Sequence, residues 1–147
     1  RSLLFAAALV GMDFSIASPP GYGLDEATLS QAQAFAARSG ARISTGSDCP
    51  AAVKGADIVY TDVWISMGQE SEAEARRRAF ASYQVDGRLL SLAREDAILM
   101  HPLPAHHGEE VAEGLLDHPR SVVFDQAENR LHIQKAVLLK VLGGQAA

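Results

Sequence analysis

The sequence has only one cysteine, Cys49, so no disulfide can form within the chain. Because disulfides are rare in reducing compartments, this fits a cytoplasmic protein. Basic residues are outnumbered by acidic ones, 13 against 18, and the net charge of -5 argues against a nucleic-acid-binding surface. The apolar run at residues 2–10 is too short to cross a bilayer, so no membrane partner is predicted.

Motifs of the common catalytic classes are also missing. The chain has no G-x-S-x-G, no glycine-rich phosphate loop, no G-x-G-x-x-G, and neither H-E-x-x-H nor C-x-x-C spacing. His101, His106 and His107 lie close together, but their spacing matches no metal motif, and we expect neither a metal nor a cofactor. No nucleophile stands beside a base. Any chemistry here is therefore expected to rest on positioning and polarisation rather than on covalent catalysis.

What the sequence does contain is a regular alternation of strand-like and helix-like segments. Strands are predicted at residues 13–18, 41–45, 56–62, 97–100 and 121–124. Helices are predicted at residues 2–11, 25–39, 48–53, 72–81, 86–93, 109–116 and 126–142. This alternation builds βαβ units. We therefore expect one α/β domain over residues 1–147, with a Rossmann-like three-layer fold around a central, mostly parallel sheet of about four to five strands.

The first helix begins in the middle of its apolar pattern. Neither an N-cap residue nor an initiator methionine precedes Leu3 and Leu4, which predicts that the chain was cut from a longer one. At the other end, residues 143–147 are rich in glycine and alanine and are expected to form a frayed terminus.

The stretch from residue 98 to residue 110 carries the strongest local signal. An apolar strand stops at His-Pro-Leu-Pro, residues 101–104, because the two prolines lack amide hydrogens and cannot continue a ladder or a helix. The backbone is expected to leave the sheet in a stiff loop with unpaired carbonyls, at the strand end where open parallel sheets bind ligands. Such carbonyls suit a ligand N–H or NH2 group. The alternative is a proline-terminated strand with solvated histidines.

A second polar segment begins where another predicted strand ends. Asp62 is followed by Ser66, Met67 and Gly68, and the glycine permits close approach of a ligand. A partly buried Asp62 carboxylate needs a cationic or N–H partner, for which a ligand ammonium is one candidate. The alternative is an aspartate that caps the following turn.

A third polar segment is Glu-Asn-Arg at residues 128–130, placed by the predicted pattern in the first turn of the last helix. Arg130 there suits bidentate binding of phosphate or carboxylate, helped by the helix N-terminus. The alternative is an ion pair with Glu128 or Asp125.

Together these motifs resemble the C-terminal, ornithine-binding half of the aspartate/ornithine carbamoyltransferase family. The resemblance covers nearly the whole chain, and Ser-Met-Gly-Gln-Glu at residues 66–70 is specific to the ornithine branch of the family. The matching segments are residues 3–5 with 11–13, 18–22, 62–70, 101–104 and 127–130.

The resemblance implies an enzyme that transfers the carbamoyl group from carbamoyl phosphate to the δ-amine of L-ornithine, giving L-citrulline and phosphate. In the family, residues that match Asp62 hold the ornithine α-amino group. Those that match Ser66 and Met67 contact the amino-acid end of the substrate. Closure of this loop would order the reactants and exclude water.

The same resemblance assigns the other end of the site. The loop that matches Pro102 and Leu103 contacts the carbamoyl group and the reacting amine, and His101 and Pro102 occupy the catalytic positions. The arginine that matches Arg130 contributes to carbamoyl phosphate binding. No metal or other cofactor is implied.

Two departures from the family pattern qualify this expectation. The ornithine branch usually has cysteine where this chain has Pro102, and His-Pro-Leu-Pro is the form typical of aspartate carbamoyltransferases. The family's carbamoyl phosphate domain, with its Ser-x-Arg-Thr loop, is missing from the sequence. We therefore expect a half enzyme, inactive alone, that works with this domain in a homotrimer or a multiple of one. Half of an aspartate- or putrescine-type carbamoyltransferase and a noncatalytic amino-acid-binding module remain alternatives.

Overall fold

Two pairs of short parallel strands run through the structure, with helices between and around them. The computed structural model describes residues 1–66 and 68–143. The first four elements in chain order are α1 (Ser2–Val10), β1 (Phe14–Ala17), α2 (Glu26–Ser39) and β2 (Ile43–Gly46). The remaining elements are α3 (Cys49–Val53), β3 (Ile58–Tyr60), α4 (Ala73–Phe80), α5 (Gly87–Leu90), β4 (Ile98–Met100) and α6 (Val123–Leu142). Single 3-10 turns lie at Glu70–Glu72, Ala81–Tyr83 and Leu115–Asp117.

The strands pair in parallel, β1 with β2 and β3 with β4. Phe14 lies opposite Ile43 in the first pair, and Val59 lies opposite Leu99 in the second. The predicted α/β class with parallel strands is therefore confirmed. Hydrogen bonding within the described residues divides the sheet into two pairs of three- or four-residue strands, where the sequence predicted one sheet of four to five strands.

Local signals in the sequence set the ends of the N-terminal helices. The Asp25 carboxylate caps α2 by accepting from the Thr28 amide at 2.7 Å, and the left-handed Gly40 ends the helix at φ 86°. The helices α1 and α2 pack through an edge-to-face contact between Phe5 and Phe35, with ring centroids 5.7 Å apart. This helix pair supports the first strand pair.

The main hydrophobic core lies under β3 and β4. Each strand contributes one buried residue, Val59 and Leu99, and the start of α6 contributes Val123. The other members of the core are Val85, Leu90, Val111, Leu115 and Leu116. This packing fixes the end of β4, where the loop at residues 101–104 begins.

The predicted helix at residues 109–116 is wrong. The Val85 amide donates to the Glu110 carbonyl, and the Ala112 amide donates to the Val85 carbonyl, both at 2.9 Å. These backbone groups therefore bridge to a neighbouring segment and are not available for helical hydrogen bonds. Gly114 adopts a left-handed φ of 72°, and only the 3-10 turn at Leu115–Asp117 follows it.

The predicted strand at residues 121–124 is also wrong. It is reduced to one parallel bridge between Leu99 and Ser121, because α6 already begins at Val123. The helix predicted at residues 86–93 is shortened and ends at Leu90.

Most of the last helix has no cover within the structure. Val123 is its buried residue, whereas the apolar side chains further along are exposed. These exposed side chains are Phe124, Leu131, Ile133, Val137, Leu138, Leu139, Val141 and Leu142. In the described part of the chain, no helix combines the length and the apolar character needed to span a membrane. Of the terminus predicted to fray, residues 144–147 lie outside the described residues.

Candidate functional site

Two polar segments meet at the carboxyl ends of β3 and β4. The strands are parallel and in register at Tyr60 and Met100, so Asp62 and His101 follow their ends on the same edge of the sheet. The Thr61 amide still donates to the Met100 carbonyl, at 3.3 Å. Parallel packing thus places the two predicted loops side by side, at the edge where open α/β sheets bind ligands.

Beneath the second loop lies a buried histidine–glutamate pair. The side chains of His101 and Glu110 are both 0% exposed, and His101 Nε2 lies 3.1 Å from Glu110 Oε1. The His106 amide donates to the same oxygen at 2.6 Å. His101 Nδ1 accepts from the Leu103 amide at 2.9 Å, and the His101 amide donates to Gln126 Oε1, also at 2.9 Å. The loop is therefore tied to the protein interior from several directions.

These contacts define the state of the His101 ring. Because Nδ1 accepts the Leu103 amide hydrogen, it carries no proton, and the proton of the neutral imidazole lies on Nε2, facing Glu110. Both ring nitrogens are thus engaged by the protein. The catalytic role predicted for His101 stays a prediction, and its contacts support a positioning role.

Pro102, Leu103 and Arg130 line one open groove with a volume of ≈ 590 Å³. Arg130 Nη1 donates to the Pro102 carbonyl across 3.3 Å. Leu103 has a φ of 50°, in the left-handed region that non-glycine residues rarely occupy and that costs about 1–3 kcal/mol. The groove therefore presents a guanidinium next to the carbonyl-bearing loop. The rest of its lining consists of Pro104, Ala127, Leu131 and Gln134.

The structure corrects the expected helical setting of Arg130. The last helix begins at Val123, so Arg130 lies about two turns inside it and not in its first turn. The positive end of the helix dipole therefore contributes little at this position, since its effect is confined to the first turn. The alternative ion pair with Glu128 is not the contact observed, because Glu128 lies beside His132 at 3.4 Å.

The charges of Asp62 and Arg130 both act on the pKa of Tyr60. Burial is the main cause that raises the pKa of Tyr60, and the negative charge of Asp62 raises it further. A hydrogen bond with Gln126 and the positive charge of Arg130 act in the opposite direction. Asp62 and Arg130 therefore both act on one half-buried side chain. Asp62 is exposed, and its Oδ1 accepts from the amide of the next residue, Val63, at 2.8 Å.

The loop after Asp62 is held at its base by an aromatic cluster. The buried Trp64 stacks on Phe80, with ring centroids 6.0 Å apart, and Phe80 meets Tyr22 edge to face at 5.1 Å. Ser66 is exposed, and its amide donates to Gln69 Oε1 at 3.1 Å. The loop thus has an anchored base and an exposed tip.

The remaining predicted residues of this loop have different outcomes. Met67 lies outside the described residues. Gly68 has a φ of 87°, a left-handed conformation that glycine adopts without strain, and its amide donates to Glu70 Oε1 at 3.0 Å. The hydrogen bonds of the Ser66 and Gly68 amides stay within their own loop, and among the described residues neither residue lines the groove.

Sequence reasoning missed three residues of this region. Tyr60 ends β3, and its place in an apolar strand gives no sequence signal of a role at the site. Gln126 bonds the His101 amide and precedes Arg130 by four residues, a spacing that puts both on one helical face and was available as a signal. Glu110 was assigned to a predicted helix that does not form, and no sequence pattern marked its burial.

One group of metal-type ligands lies just beyond the loop. His106, Glu109 and Glu110 each offer one ligand atom, and these atoms lie within 4.8 Å of one another. The sequence predicted no metal here because the spacing matches no common motif.

The groove and its surroundings favour binding and polarisation. They offer backbone carbonyls as acceptors, the Arg130 guanidinium for an anionic group and the Asp62 carboxylate for a cationic group. Within the described residues, no serine or cysteine stands beside a base in this region. The arrangement suits a ligand that carries both charges and N–H groups.

Comparison with known proteins gives relatives for nearly the whole chain. Residues 1–141 match the family model for the Asp/Orn binding domain of aspartate/ornithine carbamoyltransferase. The ornithine carbamoyltransferase of Symbiobacterium thermophilum is 54% identical over 142 residues, which make up 97% of this chain and 46% of that protein. The solved ornithine carbamoyltransferase of Pyrococcus furiosus has a TM-score of 0.91 at 52% identity, over 97% of this chain and 46% of its own.

A more distant structure comes from the same comparison. An acetylornithine transcarbamylase complexed with acetylcitrulline has a TM-score of 0.80 at 30% identity, over 93% of this chain and 42% of its own. The chain thus spans about half the length of the relatives it matches.

Proposed function

The chain belongs to the aspartate/ornithine carbamoyltransferase family, and from this premise we propose that it is the ornithine-binding half of an ornithine carbamoyltransferase. The complete enzyme transfers the carbamoyl group of carbamoyl phosphate to the δ-amine of L-ornithine, giving L-citrulline and phosphate. Residues 1–147 form the ornithine-binding domain, and the carbamoyl phosphate domain is a separate part of the enzyme.

The amino-acid end of ornithine binds along the loop that follows β3. The Asp62 carboxylate is exposed and holds the α-ammonium group. Ser66 and Met67 contact the same end of the substrate. The anchored base and exposed tip of this loop support closure over the bound amino acid.

The reacting end lies in the groove formed by Pro102, Leu103 and Arg130. The two carbonyls accept hydrogen bonds from the carbamoyl NH2 group and from the δ-amine, and the guanidinium binds carbamoyl phosphate. The neutral amine attacks the carbamoyl carbon, a C–N bond forms, the C–O bond to phosphate breaks, and the amine loses a proton. A drier, closed site favours the neutral amine.

The proximity of Pro102 and Arg130 is the observation that carries this proposal. The acceptor carbonyl and the guanidinium lie 3.3 Å apart in one groove, and the same guanidinium acts on Tyr60 together with Asp62. The Asp62 carboxylate suits the ammonium end of ornithine, and the Arg130 guanidinium suits carbamoyl phosphate near the other end.

The exposed apolar side of α6 supports the need for a second domain. Leucines, valines and one isoleucine, Ile133, are exposed along this helix, and Leu131 among them also lines the groove. Exposed apolar side chains grouped in this way mark an interaction surface. We propose that the carbamoyl phosphate domain covers it, that the enzyme is a homotrimer or a multiple of one, and that it is cytoplasmic. The lone cysteine supports this location.

Citrulline formation tests the proposal on this chain joined to the carbamoyl phosphate domain of the Pyrococcus furiosus relative. We expect turnover from the joined protein and none from the chain alone. R130A should raise the KM for carbamoyl phosphate, and D62N the KM for ornithine, each by tenfold or more, because a charged hydrogen bond contributes about 1.5–3 kcal/mol. D57N is the matched control, since Asp57 is an exposed aspartate at the opposite end of β3. Equal effects of D57N and D62N would contradict the assignment.

Pro102 favours a second candidate, an aspartate-type carbamoyltransferase half, because His-Pro-Leu-Pro is typical of that branch. Titration of the joined protein with ornithine, aspartate and putrescine separates the candidates. Ornithine should give the highest kcat/KM, and a higher value for aspartate would favour the second candidate. Lack of turnover with all three, despite a folded joined protein, would favour a noncatalytic amino-acid-binding module.

A further inference from the structure

We propose that His106, Glu109 and Glu110 form a binding site for one zinc-class divalent cation. The site lies just after the loop at residues 101–104, outside the groove assigned to the substrates. Its three ligand atoms are already within 4.8 Å of one another. One imidazole and two carboxylates are all common zinc ligands.

The first argument is an unpaired oxygen inside the protein. Glu110 is fully buried, and its Oε1 accepts from both His101 Nε2 and the His106 amide. Its Oε2 atom is buried and has no hydrogen-bond partner among the residues that the structure describes. A buried acceptor without a partner costs about 1–3 kcal/mol, and more when it is charged. An unpaired atom of this kind indicates a ligand that completes the site.

The second argument is the direction of that oxygen. Glu110 Oε2 lies 3.7 Å from His106 Nδ1, which is too far for a hydrogen bond. Two ligands on a tetrahedral zinc, with bonds of about 2.1 Å, are roughly 3.4 Å apart. The two atoms therefore need to approach by only about 0.3 Å to share one zinc ion. His106 is exposed, so its ring can make this small movement.

The third argument is that the backbone around these ligands is already fixed. The Glu110 carbonyl accepts from the Val85 amide at 2.9 Å, and the Glu109 carbonyl accepts from Gln84 Nε2 at 2.8 Å. The hydrogen bond from His101 to Glu110 Oε1 orients the carboxylate, as groups behind a metal ligand commonly do. Little ordering of the chain is therefore required for binding.

Glu109 has a competing partner. Arg77 Nε lies 2.9 Å from Glu109 Oε1, and the Arg77 side chain is half exposed. The Glu109 side chain is 26% exposed, so water reaches this ion pair and weakens it, and a cation can compete with the guanidinium. The mixed nitrogen and oxygen donors favour zinc over magnesium and calcium, which prefer oxygen ligands alone.

Calorimetric titration of zinc chloride into the metal-free 147-residue chain tests the proposal. We expect one zinc ion per chain, and at least tenfold weaker binding by H106A, because even the loss of a group behind a metal ligand costs 10–100-fold. E109Q should lose zinc affinity by the same factor, and it replaces H106A as the test variant if H106A alters the fold. R77A should bind zinc more tightly, since Glu109 then has no competing partner. An excess of magnesium chloride should not displace the zinc.

H132A is the matched control. His132 is another exposed histidine with a glutamate four residues away, Glu128, but that glutamate is exposed and both groups lie on the open face of α6. Its replacement should leave zinc affinity within twofold of the native value. Absence of one-to-one binding, or equal losses in H132A and H106A, would overturn the proposal. The titration contains neither ornithine nor carbamoyl phosphate, so its outcome is independent of the carbamoyl-transfer proposal.

Discussion

Replacing Glu110 with alanine removes the acceptor at the centre of the network beneath residues 101–104. Its Oε1 atom accepts two hydrogen bonds, from His101 Nε2 and from the His106 amide. The variant leaves both donors without this partner, at about 1–3 kcal/mol each, and the emptied volume adds a cavity cost, whereas removal of the unpaired Oε2 atom offsets about 1–3 kcal/mol. We therefore expect E110A to lower the free energy of unfolding by roughly 2–4 kcal/mol, a large part of the stability of a typical domain.

Two further variants separate this network from general effects of mutation. E110Q keeps an oxygen that can accept both hydrogen bonds but lacks the negative charge that strengthens them. We therefore expect it to lower the free energy of unfolding by about 1–2 kcal/mol. E128A removes a glutamate that also faces a histidine, His132, but on an exposed helix surface. Its effect should stay within about 0.5 kcal/mol, because exposed ion pairs contribute little.

Urea unfolding followed by circular dichroism measures all three, with EDTA present so that no metal contributes. The expected order of cost is E110A, then E110Q, then E128A. A cost for E110A below about 1 kcal/mol would show that the buried donors find other partners, and the positioning role argued for His101 and Glu110 would then be wrong.

Three other measurements test the site, a helix cap and the core. In a carbon NMR titration of the tyrosine rings, D62N should lower the pKa of Tyr60, because the Asp62 charge helps to raise it. An unchanged pKa would show that the Asp62 charge does not act on Tyr60. Hydrogen bonds from the amide and hydroxyl of Thr28 are the main causes that lower the pKa of Asp25. This carboxylate therefore stabilises the fold above its unfolded pKa of about 3.9, and the contribution is lost as the pH falls through the lower folded value. In acid unfolding, D25A should lose less stability over that pH range than the native chain does. The same loss in both proteins would show that the Asp25 carboxylate does not stabilise the helix cap. L99A should cost about 2–5 kcal/mol in urea unfolding, because Leu99 is fully buried, and the exposed L92A should cost far less.

Local sequence signals predicted the elements whose ends are marked by local chemistry. Asp25 and Gly40 bracket α2 because the cap and the left-handed glycine act on neighbouring backbone groups alone. The predictions failed where distant partners decide the outcome. Residues 109–116 are not helical, since their backbone groups bond to Val85, and residues 121–124 are not a strand, since α6 starts at Val123.

The site shows the same division. Asp62 and Pro102 were predicted from residue type and from their places at strand ends, and the family implied by the motifs is confirmed. Arg130 was predicted from residue type, but its expected place in the first turn of the last helix is wrong. Their roles toward substrates stay predictions. Gln126 and Glu110 were missed, because their importance comes from contacts made across 25 and nine residues of sequence to His101.

Periodicity, caps and prolines are properties of short stretches, so the sequence alone determined the α/β class, the family and the places where loops leave the strands. Tertiary structure decided the state of His101, the burial of Glu110 with one unpaired oxygen, and the meeting of Arg130 with the Pro102 carbonyl. Each of these depends on desolvation and on distances between residues far apart in the chain, and a linear pattern carries neither quantity.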